Sequence, residues 1–128
     1  MNLELINKRR NNEICSDGVN TFKIFNKDYD KRLVFLESFI TAEVEADGVN
    51  VPSIEEVTKI DGQWAFKSYV IKGKTLFDLI KENPKDVDKY LDKMVEIHTS
   101  IHKHKCPKLP IQKEKLTDYI NASEYSFI

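Results

Sequence analysis

The Asp61-Gly62 dipeptide lies between two runs rich in aromatic and β-branched residues, and it commits the middle of the chain to an antiparallel hairpin. Asp-Gly suits a type I′ turn, whose twist matches that of the strands it joins. The pattern predicts strands over Ile54–Ile60 and Gln63–Ile71, with Trp64, Phe66, Tyr69 and Ile71 giving bulk to the second.

Upstream, Leu3–Ile6 is a short apolar strand candidate, Asn7–Asn12 is polar and turn-forming, and Glu13–Cys15 is extended again. Ser16-Asp17-Gly18 is a tight-turn signal leading into Thr21–Phe25, read T-F-K-I-F. In that run Phe22 and Ile24 alternate with Thr21, Lys23 and Phe25, which favours a strand. A lysine there needs a reason, because burying an unpaired ammonium is costly. Two readings compete: Lys23 on the wet face of a half-buried strand, or a phosphate-binding Lys23 held by a carboxylate from the following helix.

From about Asp30 to Asp47 the apolar period turns helical. Leu33, Leu36, Ile40 and Val44 recur at helical steps with Phe39 beside them, Glu37 sits at the flank of that stripe, and Gly48 is a helix stop. Asn50-Val51-Pro52 closes the segment. Beyond the hairpin, Thr75 caps a short helix through Ile80, with Asp78 completing a capping-box-like pattern. Asn83-Pro84 starts a longer helix whose apolar face is Val87, Leu91, Met94, Val95 and Ile101. Lys105–Pro110 reads as a loop and Gln112–Asn121 as a further helix. The expected architecture is therefore α+β: a five-stranded antiparallel sheet with one inserted helix, followed by helices. Ser123–Ile128 carries Tyr125, Phe127 and Ile128 with no partner in sight, so the expectation is a chain cut within a larger domain.

Net charge is −1 over 128 residues, so no global basic field draws the chain to nucleic acid. No apolar run approaches a membrane span, and the polar N-terminus lacks a signal-peptide core, which makes the cytoplasm the expected location. Cys15 and Cys106 are too few for a disulfide framework, fit a reducing compartment and read as inert. His98, His102, His104 and Cys106 have metal-ligand spacing, but His98 falls near an apolar helix face, where a packed histidine is the commoner outcome. Trp64, Phe66 and Tyr69 read as core and hinge packing, and Lys103, Lys105 and Lys108 as a solvated loop.

Strand, loop, strand, turn, lysine-bearing strand, glutamate-bearing helix, hairpin, glycine and helices is the order of a kinase N-lobe. The wording resembles the aminoglycoside phosphotransferase and choline kinase-like family of small-molecule kinases. It does so in N-N-E-I-C-S-D-G-V-N-T-F-K-I-F-N, F-L-E-S, N-V-P-S-I-E-E-V, W-A-F-K-S-Y-V-I-K-G-K-T-L and I-H-T-S-I-H. The likeness runs from about Leu3 to Pro110 and implies a nucleotide-binding N-lobe over 1–72 and the helical start of an incomplete C-terminal lobe over 73–128. It implies ATP as the nucleotide. Lys23 would contact the α and β phosphates with Glu37 as its partner, Glu43 and Glu45 being weaker alternatives. The Tyr69–Ile71 backbone would be the hinge, its Tyr69 carbonyl and Ile71 amide facing adenine, with Ser68 behind it and Gly73 opening the second lobe.

Two departures qualify that expectation. The loop meant to cover the phosphates, N-K-R-R-N-N, has no glycine, so Lys8, Arg9 and Arg10 either attract phosphate as charges or form a solvated turn. The family's H-G-D-type catalytic aspartate, its following asparagine and its magnesium-holding aspartate have no counterpart in the sequence. Magnesium is thus expected only with a complete C-terminal lobe, the acceptor is unspecified, and the chain alone is expected not to be a competent kinase. The alternative is a non-catalytic nucleotide- or partner-binding module. Either way, exposed apolar surface at the C-terminal end predicts a homodimer, by exchange of the C-terminal helix among other routes.

Overall fold

The computed structural model describes residues 2–109 and 112–121. Five strands, β1 (Glu4–Lys8), β2 (Asn12–Ser16), β3 (Asn20–Phe25), β4 (Glu56–Ile60) and β5 (Gln63–Tyr69), form one antiparallel sheet in the order β1-β2-β3-β5-β4. Helix α1 (Lys31–Ala46) is inserted between β3 and β4, and α2 (Leu76–Glu82), α3 (Val87–His102) and α4 (Gln112–Asn121) follow the sheet. The α+β class and the five-stranded sheet followed by helices agree with the sequence reading. Ser123–Ile128, expected to leave apolar side chains unpartnered, lies outside the described residues. No helix among the described residues is long and apolar enough to cross a membrane.

Local chemistry sets the boundaries. Asp61 (φ 50°) and Gly62 (φ 80°) both take positive φ, the type I′ requirement, and place Ile60 opposite Gln63. The strands are shorter than Ile54–Ile60 and Gln63–Ile71. The Glu55 amide donates to the Lys67 carbonyl at 2.8 Å although Glu56 is the residue paired with Lys67. Two residues against one is a bulge, so regular pairing ends at Glu56 and Tyr69 loses its β4 partner. The Asn7–Asn12 loop is also shorter than expected. Asn7, Lys8 and Asn12 join strands, and the turn over Arg9–Asn11 is closed by an Arg9 amide bond to the Asn12 carbonyl at 2.8 Å.

At α1 the Asp30 carboxylate accepts from the Arg32 amide as N-cap. Gly48 (φ 92°) ends the helix: its amide donates to Glu45 and that of Val49 to Val44, the paired bonds of a Schellman motif. Thr75 caps α2 through the Asp78 amide at 3.1 Å, and α2 continues to Glu82. Asn83 makes no side-chain cap. Its backbone amide closes α2, and Pro84–Asp86 form a 3-10 turn before α3.

The apolar stripe of α1 is rotated from the one read in the sequence. Leu33, Leu36 and Phe39 are exposed, Val34 is fully buried, and Ile40 and Val44 are half-buried. The sheet-facing side carries Val34, Glu37, Thr41 and Val44. Helix α1 is apolar around most of its circumference, so spacing alone left its rotation undetermined. Two clusters hold the sheet. Phe25, Val34 and Phe66 pack with Tyr29, Ile54, Val57 and Trp64 on the α1 side; Cys15, Phe22, Ile24 and Ala65 pack with Leu3 and Ile60 on the other. On α3, Val87 and Met94 are half-buried while Leu91, Val95 and Ile101 stay exposed.

The β2–β3 turn sets the register of the Lys23 strand. Asp17 Oδ1 accepts from the Val19 amide at 2.9 Å and the Asn20 amide at 2.7 Å, and these bonds, Asn20 first, hold its carboxyl below the usual carboxylate range. A depressed folded-state pKa contributes stability above the ordinary carboxylate range, lost as pH falls through the depressed value. The stability deficit of Asp17→Ala, measured by urea unfolding, is therefore expected to be full at neutral pH and to close in strong acid. A deficit independent of pH would assign it to the turn's backbone alone.

Candidate functional site

The sheet register assembles the site from residues far apart in the chain. On the α1 face, Ile14 of β2 lies opposite Lys23 of β3, which lies opposite Phe66 of β5; one step along, Thr21 lies opposite Ser68. Glu37 projects from the sheet-facing side of α1 and accepts a hydrogen bond from Lys23 Nζ. The Lys23 ammonium also lies 5.3 Å from the centre of the Phe25 ring. Lys23 is thus paired with a carboxylate of the following helix, on the face of the sheet that α1 covers. Glu43 and Glu45, the weaker alternatives, do not reach Lys23: Glu45 accepts from the Ser53 hydroxyl at 3.2 Å, and Glu43 makes no ion pair among the described residues.

Beside this pair is a cavity of about 570 Å³. Ile14, Thr21, Lys23, Phe66 and Ser68 line it from the sheet, Glu37, Ile40, Thr41 and Val44 from α1, and Val51, Pro52 and Ile54 from the segment leading into β4. Tyr69 and Ile71 stand at its mouth, both well exposed. The size and the largely apolar lining with a few polar groups are those of small-molecule sites, typically ~300–1,000 Å³. Lys23, Glu37, Ser68, Tyr69 and Ile71 therefore share one cleft.

The backbone at the mouth follows from the strand pattern. Val70 donates to the Val19 carbonyl at 3.1 Å, so Tyr69, which faces Asn20, turns its own amide and carbonyl away from β3. That is the side of β4, whose pairing has ended at Glu56. The Tyr69 carbonyl consequently faces the β4 side of β5, past the point where that strand's pairing ends. The Ile71 amide has no backbone partner among the described residues.

The β1–β2 turn is tied down. The Asn26 side chain donates to the Arg10 carbonyl at 2.9 Å and its amide to the Asn11 carbonyl at 3.0 Å. Lys8 pairs with Glu13 at 3.7 Å, while Arg9 and Arg10 make no ion pair among the described residues.

The histidine cluster is split. His98 and His102 share one flank of α3 with ring centres 6.4 Å apart, and His98 is exposed, not packed in a core. His104 turns to the end of α1, its Nδ1 at 2.7 Å from the Asp47 carbonyl and 3.2 Å from the Asp47 carboxylate. No group of three or more His, Cys, Asp or Glu side chains among the described residues is arranged to hold a metal. Burial raises the Cys15 thiol pKa, with Glu13 adding to it, and desolvation and Asp47 raise that of Cys106, so neither has the depressed pKa of a nucleophile.

The chain matches no family model, no curated protein and no solved structure.

Sequence reasoning missed Ile14, Thr21, Thr41 and Val44 as lining residues. The β2–β3–β5 register would have found the first two, since residues opposite Lys23 and Ser68 must share their face.

The Lys23 and Glu37 side chains are 25% and 36% exposed, which places their pairing between a surface bridge and a buried one. A double-mutant cycle with Lys23→Met and Glu37→Gln, read by chemical unfolding, is expected to give a coupling of about 0.5–1 kcal/mol that shrinks in high salt. Zero coupling at low salt would show that the pair contributes no net stability.

Proposed function

We propose that this chain binds ATP in the cleft between β3, α1 and the Tyr69–Ile71 segment, as the nucleotide-binding portion of a small-molecule phosphotransferase. On this reading the sheet and α1 form a kinase-like N-lobe resembling the aminoglycoside phosphotransferase and choline kinase-like family, and 73–128 begins a second lobe. One observation carries it. An ammonium held by a helix carboxylate and a strand edge that has lost its partner line the same largely apolar cavity. The first suits phosphate and the second suits the hydrogen-bonding edge of a purine, with apolar walls between for the rings.

Each residue then has a role. Lys23 contacts the α and β phosphates, and Glu37 keeps its ammonium in place. The Tyr69 carbonyl and the Ile71 amide address the adenine edge, and Ser68 leaves room behind them. Arg9 and Arg10 add positive charge from a turn too tightly closed to offer glycine-type backbone amides.

Magnesium does not fit the residues present. Glu37 is the one carboxylate lining the cleft among the described residues, and it is committed to Lys23. No aspartate base lines the cleft among the described residues either, so binding rather than phosphoryl transfer is the activity these residues support. This favours the second reading, a nucleotide-binding module without turnover, for the chain by itself.

ATP is expected to raise the melting temperature of the wild-type chain, and Lys23→Met to abolish that rise without loss of the folded circular dichroism spectrum. An unchanged shift in the variant would remove Lys23 from the site. The purified chain is expected to show no ATP-dependent phosphorylation of aminoglycosides or amino alcohols; robust turnover would overturn the binding-only assignment.

A further inference from the structure

The outer face of α1 has an unusual charge order. Its first turn holds no acidic residue but contains Arg32, and its last turn holds no basic residue but contains Glu43 and Glu45, followed by Asp47. Both ends oppose the helix macrodipole, which favours carboxylates at the N-terminus and cations at the C-terminus. Asp30 offsets the first mismatch through its pairing with Arg32, with contacts of 2.8–3.2 Å, and at the other end the His104 ring lies 3.2 Å from the Asp47 carboxylate. Glu43 makes no ion pair among the described residues.

Between these charges lies apolar surface. Val34, Glu37 and Thr41 face the sheet, so Arg32, Leu36, Phe39 and Glu43 lie on the opposite side, at steps of four, three and four. Leu36 is 39% and Phe39 46% exposed, and neither lines the cleft. Steps of four and three are those of a helix seam that packs against another helix.

The pattern complements itself. When a helix packs antiparallel on its own copy about a two-fold axis, residues whose numbers share a constant sum oppose one another. An axis midway between Leu36 and Phe39 sets Leu36 against Phe39 of the second copy, and by the same sum Arg32 against Glu43. Two apolar contacts would then be flanked by two ion pairs, and each misplaced charge of α1 would meet its opposite. Antiparallel packing also aligns the two macrodipoles favourably. The guanidinium has donors to spare for Glu43 while it holds Asp30.

We propose that the chain forms a two-fold homodimer through the outer face of α1, with Leu36 and Phe39 at its centre and reciprocal Arg32–Glu43 ion pairs at its ends. The interface differs from the C-terminal apolar surface of α3 and does not rest on nucleotide binding. Glu37 points to the opposite side of the same helix, so the dimer leaves the cleft open.

The test is sedimentation velocity on the full chain at low salt, with folding checked by circular dichroism. The wild type is expected to dimerise. Arg32→Glu and Glu43→Arg are each expected to raise the dimer dissociation constant about tenfold or more, since every substitution acts twice across the two-fold. The double variant, with the charges exchanged, is expected to recover the dimer. A monomeric wild type, a dimer indifferent to both single variants, a double variant that stays dissociated, or a dimer broken by Val95→Glu on α3 and not by the α1 substitutions would each overturn the proposal.

Discussion

The contact between the Lys23 ammonium and the Glu37 carboxylate sets the relation of α1 to the sheet. By itself such a half-buried pair adds little net stability, because attraction is offset by desolvation. Its force is in what it forbids. Withdrawing Glu37 would leave a lysine facing Phe25, Phe66 and the α1 side of the sheet without a counter-charge, and an unpaired charge in that setting is costly. Rotations of α1 that seat Leu33, Leu36 and Phe39 on the sheet turn Glu37 away from Lys23. The observed rotation seats Val34 fully and keeps Glu37 opposite Lys23. A polar contact thus decides an orientation that the hydrophobic pattern of the helix leaves open.

The cleft follows from that orientation together with a short strand. Were β4 to continue pairing past Glu56, Pro52 would enter the ladder with no amide to donate, a position tolerated at edges and irregularities but not within regular pairing. The bulge at Glu55 and Glu56 against Lys67 ends the ladder earlier. The chain from Val51 to Ile54 then becomes a wall of the cavity, and Tyr69 is left with a free backbone edge. Cation, cavity and free edge are therefore consequences of one local topology, in which a helix is inserted between a lysine strand and a hairpin that starts irregularly.

Much of this was readable from residues, and what was not readable has physical causes. The Asp61-Gly62 turn, the Gly48 stop and the Thr75 cap lay where expected, because positive φ and capping bonds are local demands that one or two residues meet or fail. Lys23 stood out because its neighbours belong in a core. The spacing leaves the rotation of α1 open, because Leu33, Leu36, Ile40 and Val44 form as good a stripe as the observed one and the choice depends on a partner in another element. Asn83 looked like an N-cap, but its backbone amide was recruited to close α2, leaving Pro84 to begin a 3-10 turn. The histidines shared a spacing and not a direction, since His104 lies past the end of α3, where the chain bends to reach Asp47.

The rotation that places Glu37 inward also puts Leu36 and Phe39 in solvent, and these are two aspects of one choice. A helix with apolar residues around most of its surface is at home between two layers, not on one. Here the sheet supplies one layer; on the other side Leu36 and Phe39 stay exposed, and His104 and Cys106 reach only the C-terminal end of α1, where Glu43 is half-buried. The charges at the ends of α1 are placed against its own dipole, yet in the order that a reversed copy of the same helix would neutralise. Arg32 and Glu43 lie 11 residues apart, or about 16 Å at ~1.5 Å per residue, which leaves space between the ion pairs for the two apolar side chains and no more. The inner face of α1 is thus specified by a single carboxylate. Its outer face is specified by a matched pair of opposite charges, and the two requirements are compatible because they occupy opposite sides of one cylinder.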